Sequence, residues 1–338
     1  SISFRYKKKL SSIALSMLLM LCVMSSVAQP FCPNCQVSMT SPAGTKFLLY
    51  TPPGYVAGTP APMLISLHGQ GQIGDEISSL TTQMNDGTPA YLIAQSKWPS
   101  ARPFIVVSPQ LKYDGSIPAS TQDWEAAYIE EVVEYVKTQQ RTINDNKVYI
   151  TGLSLGGQGA MIYGATYPNK VAGIISISGR TNEIINEACS LVNIPLWIFH
   201  GTDDDFVPVS NAITMVDAIN NCTNPGTIKP HLTLVDAVRH NAPAPPLWNN
   251  IYDLSSGYGI YDWLLQFTKN ELSNKPPYVN VGVNKKVLVQ DDPLYIFGDY
   301  FDADGSVISV TWSQTVGTPL ALENVNSQIL KVSSLQAG

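Results

Sequence analysis

The sequence predicts an α/β protein built on a mostly parallel sheet with helices on both faces. Short apolar runs rich in β-branched residues alternate with segments whose apolar residues recur at helical spacing. The apolar runs are nearly continuous, which is typical of strands buried on both faces. One of them, residues 147–151, leads into Gly152-Leu153-Ser154-Leu155-Gly156 and then directly into a helical pattern.

The predicted elements alternate between strand and helix over most of the chain. In the clearest helix, Ile129, Val132 and Val136 lie on one face. The predicted strands are Phe47–Tyr50, Met63–Leu67, Phe104–Ser108, Lys147–Thr151, Val171–Ser176, Leu196–Phe199 and His231–Val235. The predicted helices are Trp124–Thr138, Gly157–Thr166, Ser210–Asn220 and Tyr258–Phe267.

Residues 1–28 have the pattern of a secretory signal peptide. A basic start precedes an apolar run over 13–23 and the small-residue cleavage site Ser26-Val27-Ala28. A membrane anchor is the alternative, but the apolar run is too short to span a bilayer comfortably. The chain has 20 Lys and Arg against 26 Asp and Glu, and four of the basic residues lie in this segment. The exported protein would therefore be acidic, which disfavours nucleic acid and anionic lipid as partners.

Export would place the cysteines of the mature chain in a compartment that permits disulfides. Cys32 and Cys35 form a CxxC pair, which could be a redox or metal motif. Since no second pair accompanies it, we expect a local disulfide instead. Cys189 and Cys222 are then left to pair with each other.

Ser154 has the setting of an activated nucleophile. It follows a predicted strand and precedes a predicted helix, with Gly152 and Gly156 on either side. The turn between strand and helix is so sharp that side chains two residues before and after the serine would clash, and glycine removes them. The helix N-terminus also favours negative charge near the serine.

A serine nucleophile needs donors for the oxyanion that forms on its substrate. His68-Gly69-Gln70-Gly71 follows the strand Met63–Leu67, where a second donor would lie. We therefore predict an oxyanion hole formed by the backbone N–H groups of Leu155 and Gln70. His68 itself is predicted to brace the loop rather than to carry a proton.

The nucleophile also needs a base and an acid that orients it. The buried strand Leu196–Phe199 is followed by Asp203-Asp204-Asp205, which could also be an ordinary solvated turn. His240 follows the strand His231–Val235 and is the histidine at the end of the sheet. The order serine, aspartate, histidine matches one lineage of hydrolases and differs from the orders of two well-known kinds of serine protease.

The segment from about Phe47 to Phe267 resembles the α/β-hydrolase superfamily. The matching pieces are "LHGQGQ", "VVSPQ", "GLSLGGQGA" and "IFHGTDDDFVP". The resemblance is strongest to secreted esterases, a group that includes feruloyl and acetylxylan esterases, polyhydroxybutyrate depolymerases and related peptidases. It implies an α/β-hydrolase fold over 29–269 and, as triad acid, Asp204, four residues after the histidine of His-Gly. Asp205 is the second choice.

The pocket walls are less well predicted than the triad. Relatives commonly carry a tryptophan a few residues after the triad histidine, whereas "HNAPAPPLW" delays it here to Trp248. Trp124 and Trp248 are predicted to contact substrate, although tryptophans are more often core residues. The sequence offers no metal-ligand cluster and no nucleotide-binding motif, so no cofactor is expected.

The chain changes character after Phe267. Residues 270–277 read as a polar, proline-bearing linker, and residues 278–338 resemble part of a PKD domain, an immunoglobulin-like β-sandwich. Strand-like stretches are Val287–Val289, Leu294–Phe297 and Val307–Trp312, with Trp312 as the expected core aromatic. Asp302 and Asp304 could contact calcium, but a polar turn is preferred.

These features predict a secreted serine carboxylic-ester hydrolase, extracellular or periplasmic, acting through Ser154, Asp204 and His240. The resemblance suggests feruloyl or acetyl esters of plant polysaccharides as substrates. A serine peptidase of the prolyl-oligopeptidase type is the first alternative, because it would use the same triad. The second is a non-catalytic adhesion protein with a decayed hydrolase fold, against which the complete triad argues.

Overall fold

Eight strands form one sheet in the order β1-β2-β4-β3-β5-β6-β7-β8 in the computed structural model. The structure describes residues 34–82, 87–139, 141–224, 226–240, 251–252, 259–269, 271, 274–281 and 293–335. The strands are β1 (Cys35–Thr40), β2 (Lys46–Thr51), β3 (Ala61–Leu67), β4 (Ile105–Pro109), β5 (Ile143–Leu153), β6 (Gly173–Ile177), β7 (Leu196–Gly201) and β8 (His231–Val235). The predicted signal peptide lies outside the described residues.

Six strands, β3 to β8, run parallel to their neighbours, and β1 and β2 add an antiparallel edge. The central strands β4, β6 and β7 are buried at every position, as their continuous apolar runs predicted. All seven predicted strands are present. Strand β1 was not predicted, because its sequence CQVSMT carries little apolar signal and most of it is partly exposed.

Helices cover both faces of the sheet. They are α1 (Pro89–Ala94), α2 (Ala126–Thr138), α3 (Leu155–Thr166), α4 (Ser210–Asn220) and α5 (Ile260–Leu265). In β3, Met63 and Ile65 join the core beneath α2, α3 and α4, whereas Leu64 joins the opposite core with α1 and α5. Successive side chains of a strand point to opposite faces, so each face has its own core. The predicted parallel sheet covered on both sides is confirmed.

A disulfide joins Cys189 to Cys222, as predicted, with the Cα atoms 5.6 Å apart. It ties a 3₁₀ segment over Thr181–Leu191 to the turn that follows α4. Closing a loop of this length is worth about 3–4 kcal/mol in the chain-entropy picture. The other predicted link involves Cys32, which lies outside the described residues.

The C-terminal residues form two small antiparallel sheets. Strands β9 (Tyr278–Asn280) and β11 (Asp299–Phe301) make one, and β10 (Leu294–Phe297), β12 (Ala321–Glu323) and β13 (Ile329–Ser333) make the other. The predicted strand Leu294–Phe297 is present. The predicted strand Val307–Trp312 is wrong, since these residues form no strand. Val287–Val289 lies outside the described residues. Small antiparallel sheets suit the PKD resemblance but do not establish it.

The C-terminal strands pack against the β8 edge of the large sheet. The Phe301 ring stacks on the imidazole of His231, with centroids 3.6 Å apart, and lies 5.1 Å from Trp197. Asp299 accepts a hydrogen bond of 2.8 Å from the Thr233 hydroxyl. Residues on both sides of the predicted linker therefore share one apolar cluster.

Candidate active site

Ser154 sits in the turn between β5 and α3 with strained backbone angles, φ 52° and ψ −118°. Positive φ is uncommon outside glycine and clusters at functional sites. The conformation is held by the Ser154 N–H, which donates to the Ile177 carbonyl at 2.7 Å. The Ser154 carbonyl accepts from Gly157 N–H at 2.9 Å, and α3 begins there.

Two glycines make this turn possible. A Cβ added to Gly152 would lie 2.1 Å from the Gly156 carbonyl oxygen. A Cβ on Gly156 would lie 2.3 Å from the carbonyl oxygen of Leu67, the last residue of β3. Both distances are far below van der Waals contact. Glycine at these positions therefore allows the serine turn to lie close to the end of β3.

His240 joins the serine to an aspartate. Its Nε2 lies 2.9 Å from the Ser154 hydroxyl oxygen, and its Nδ1 lies 2.8 Å from Oδ2 of Asp204. These contacts require Nδ1–H to donate to the carboxylate, which leaves Nε2 to accept the serine proton. All three side chains are buried. The arrangement has the geometry of a nucleophile, its base and the group that orients the base.

Asp204 is held as a carboxylate by its surroundings. Its Oδ1 accepts backbone N–H bonds from Phe206 at 3.0 Å and Val207 at 2.7 Å. Burial favours the neutral acid, but the hydrogen bonds from His200, His240 and Val207 outweigh it and hold the pKa of Asp204 well below its usual range. The neighbouring Asp205 instead pairs with Arg239 at 2.5 Å on the surface.

The loop that carries His240 is braced by the loop that carries Asp204. The Ala237 N–H donates to the Thr202 hydroxyl at 2.9 Å, and Asp203 N–H donates to the Val238 carbonyl at 3.2 Å. A Cβ on Gly201 would lie 2.2 Å from the same Val238 oxygen. These contacts fix the spacing of acid and base.

The sequence model of the Esterase family matches residues 38–250, which is more than half of the chain. This range includes Ser154, Asp204 and His240. This chain belongs to the Esterase family. Membership supports the predicted enzyme class, a carboxylic-ester hydrolase.

A curated relative and two solved structures are similar to this Esterase-family chain. The bifunctional acetylxylan esterase/xylanase XynS20E of Neocallimastix patriciarum is 24% identical over 170 residues, which are 48% of this chain and 22% of the relative. The chain thus matches about a fifth of the length of that protein. A thermostable esterase superposes with TM-score 0.53 at 20% identity, covering 69% of this chain and 62% of that one. The Pyrococcus horikoshii acylaminoacyl peptidase gives TM-score 0.50 at 11% identity, covering 72% and 43%. These superpositions show the fold alone.

The predicted oxyanion donors of this Esterase-family chain lie on two adjoining segments. Leu155 is the first residue of α3, and Gln70 opens a short 3₁₀ turn after β3. A Cβ on Gly69 would lie 2.8 Å from the side chain of Leu153, which places this loop against the serine turn. Among the described residues neither N–H has a hydrogen-bond partner. Their role as donors remains a prediction.

His68 braces that loop from inside. Its Nδ1–H donates to the Gly69 carbonyl at 2.7 Å, and its Nε2 accepts from the Leu111 N–H at 2.9 Å. Burial lowers the pKa of His68 to about 4, although the bond to Gly69 acts in the opposite direction. A neutral, fully engaged imidazole suits the predicted bracing role.

The prediction that Trp124 contacts substrate is corrected by its burial. Its side chain is 1% exposed, donates from Nε1 to the His68 carbonyl at 3.2 Å, and packs edge-on against the His68 ring. A Cβ on Gly159 would lie 2.7 Å from this indole, so α3 covers it closely. Trp124 therefore supports the loop and offers no face to a ligand. Trp248 lies outside the described residues.

Sequence analysis missed a polar network beside the serine turn. Gln158, in the first turn of α3, donates to Glu183 at 2.9 Å, and Arg180 pairs with Asp123 at 2.6 Å and with Glu183 at 3.6 Å. The network ties the segment after β6 to the starts of α2 and α3. Asp123, Gln158 and the pair Arg180 and Glu183 are far apart in sequence, so no local motif indicates the network.

Phe206 was also missed. This residue is 60% exposed, and its ring lies 5.2 Å from the imidazole of His240. Its only sequence signal is an aromatic residue within the acidic turn "DDDFVP".

Among the described residues no group of three or more His, Cys, Asp and Glu side chains could hold a metal ion. No described helix is long and apolar enough to cross a membrane.

Proposed function

We propose that this protein is a secreted serine esterase that works through Ser154, His240 and Asp204 by way of an acyl-enzyme. The observation that carries the proposal is the continuous chain of hydrogen bonds from the Ser154 hydroxyl through His240 to Asp204. Family membership supports the ester as the bond that is cleaved. Secretion is supported by the predicted signal peptide and by the disulfide between Cys189 and Cys222.

In the first half of the reaction, Ser154 Oγ attacks the ester carbonyl carbon while its proton passes to His240 Nε2. The negative charge that forms on the carbonyl oxygen is stabilised by the N–H groups of Leu155 and Gln70. The carbon–oxygen bond to the alcohol then breaks, and His240 returns the proton to the leaving oxygen. The products are the free alcohol and an ester of Ser154.

In the second half, water attacks the acyl-enzyme, again with His240 as base, and releases the acid and free Ser154. Asp204 remains ionised throughout and stabilises the imidazolium that forms in each half. The low pKa of Asp204 supports this role, because a protonated carboxyl would neither orient Nδ1–H nor balance its charge.

For the substrate we propose acetyl or feruloyl esters of polysaccharides. The support is the similarity to a bifunctional acetylxylan esterase/xylanase over 170 residues. A peptidase using the same triad would share the fold of the acylaminoacyl peptidase, so peptide substrates belong in the same experiment.

The test combines active-site labelling with a substrate panel. A fluorophosphonate should modify Ser154, identified by mass spectrometry, and kcat/KM should be measured on methyl ferulate, acetylated xylan, short p-nitrophenyl esters and peptide anilides. Ser154→Ala should lower kcat by about 10⁴ or more. Faster cleavage of anilides than of esters would replace the esterase by the peptidase.

The neighbouring aspartates supply a matched control. Asp204→Asn should lower kcat by about 10³–10⁴. The amide oxygen would stay with the N–H groups of Phe206 and Val207, so the amide NH₂ would face Nδ1 and favour the wrong tautomer of His240. The neutral amide also cannot balance the charge of the imidazolium. Asp205→Asn makes the same change in charge, but Asp205 pairs with Arg239 on the surface. The kcat of this variant should therefore stay within about twofold of wild type. Equal losses in the two variants would refute the assignment of the acid.

A further inference from the structure

We propose that Phe206 forms the wall of the active site on the side of the leaving alcohol and selects esters whose alcohol carries a neutral ring. The inference rests on the proposed function, because it concerns the group that His240 must protonate. It assigns Phe206 as a specificity-determining residue and restricts the range of alcohols expected in the substrate.

The position of the ring follows from the base. When His240 donates its proton, the leaving oxygen must lie within hydrogen-bond reach of Nε2, about 3 Å away. The Phe206 ring centre lies 5.2 Å from the centre of the imidazole, at an interplanar angle of 37°. A substituent on that oxygen that extends along the imidazole would therefore contact the Phe206 ring. The predicted oxyanion donors belong to the other two segments, after β3 and β5.

The backbone that carries the ring is held by the triad acid itself. Asp204 Oδ1 accepts the N–H of Phe206 and of Val207, and the Val207 side chain is buried. On the other side, the ion pair between Asp205 and Arg239 joins this turn to the residue before His240. Because the backbone is held, a ligand that contacts the ring has only the two side-chain torsions of Phe206 to order, which limits the entropy cost of binding.

Charge and exposure indicate the class of alcohol. Phe206 is 60% exposed, so most of its apolar surface is available to a ligand. The exposed carboxylate of Asp203 lies on the same turn and opposes an anionic group, whereas the charge of Asp205 is balanced by Arg239. The ring therefore suits a neutral ring with an apolar face, either the C–H face of a sugar or an aryl group.

The experiment compares acetate esters that share the acyl group and differ in the alcohol. Wild type, Phe206→Ala and Phe206→Tyr are assayed on ethyl acetate, phenyl acetate and a monoacetylated methyl xyloside. In Phe206→Ala, kcat/KM for the ring-bearing esters should fall relative to ethyl acetate by about 5- to 30-fold. Phe206→Tyr should restore the preference, because it keeps the ring. If kcat/KM falls on phenyl acetate alone, Phe206 recognises aryl alcohols. If it falls on both phenyl acetate and the xyloside, Phe206 recognises sugars as well.

Pre-steady-state kinetics separate binding of the alcohol from support of His240. Once the acetyl-enzyme has formed the alcohol is gone, so the rate of deacetylation should be the same in Phe206→Ala and wild type within about twofold. Val56→Ala, which removes an equally exposed apolar side chain elsewhere, controls for general surface effects.

Two results would overturn the inference. Equal losses of kcat/KM on all three acetates, or a matching loss in deacetylation, would mean that Phe206 only shields or positions His240. If wild type cleaves none of the esters and Ser154 resists labelling, the proposed function fails as well. Normal labelling with an unchanged alcohol preference rejects the role of Phe206 alone.

Discussion

Replacing His68 by glutamine should make the folding stability less dependent on pH. The buried imidazole accepts a hydrogen bond from the Leu111 N–H through Nε2 and donates from Nδ1 to the Gly69 carbonyl. A proton on Nε2 would face the Leu111 N–H and break that bond. Geometry and burial therefore both oppose protonation, in agreement with the lowered pKa of about 4.

The magnitude follows from the difference between the folded and unfolded states. A histidine in the unfolded chain titrates near 6.5, and each pKa unit is worth 1.36 kcal/mol, so the shift to about 4 corresponds to about 3 kcal/mol. The unfolded state binds the proton first as pH falls. The contribution is therefore complete above about pH 6.5 and is lost progressively toward pH 4. Glutamine has no such titration, and its amide can both donate and accept.

The assay is urea denaturation of wild type and His68→Gln at several pH values from about 4.5 to 7.5. Other titrating groups are common to both proteins and cancel in the difference between them. The free energy of unfolding of wild type should fall by about 2 kcal/mol more than that of the variant over this range. Parallel pH profiles would refute the reasoning, and so would a His68 resonance that titrates near 6.5 in the folded protein.

Two further substitutions test the fold around the site. Gly152→Ala should cost more than about 4 kcal/mol of stability, because its Cβ would overlap the Gly156 carbonyl, whereas Gly54→Ala, which meets nothing within 4 Å, should stay within about 0.5 kcal/mol in the same denaturation assay. Phe301→Ala should lower the melting temperature in calorimetry by about 4–8 °C, since a half-buried ring is worth about 2 kcal/mol. Val279→Ala, at a position 63% exposed in the same C-terminal region, should change it by less than about 2 °C, and equal shifts would contradict the contact with the large sheet.

Strands buried on both faces were the easiest elements to predict from sequence. The continuous run in Leu196–Phe199 and the β-branched residues of Val171–Ser176 have few alternatives to a parallel strand. Helix α1 was missed because six residues are too few to show helical spacing. Its start is nevertheless marked by Thr88, which accepts from Tyr91 N–H, and by Pro89 in the first turn. The strand predicted at Val307–Trp312 failed because alternation alone does not supply a neighbouring strand.

The residues of the candidate triad were predictable for a different reason. Each follows a strand of the parallel sheet, and the carboxyl ends of such strands meet at one edge. Chain order therefore selected Ser154 and His240, while the resemblance chose Asp204 over Asp205. Neither chain order nor the resemblance could predict the roles of Trp124 and Phe206. Burial of one aromatic residue and exposure of another depend on which loops pack over them, and neither has a local signature.

The domain boundary predicted at 270–277 shows the same limit. Composition changes sharply there. It does not reveal that Phe301 stacks on His231 or that Asp299 accepts a hydrogen bond from the Thr233 hydroxyl. These contacts are made at the first and middle residues of β8, and His240 follows its carboxyl end. Four residue steps along a strand separate His231 from Val235, or about 13 Å. The C-terminal segment can thus stabilise the strand without touching the triad, so loss of Phe301 should lower stability while kcat of the folded protein is kept.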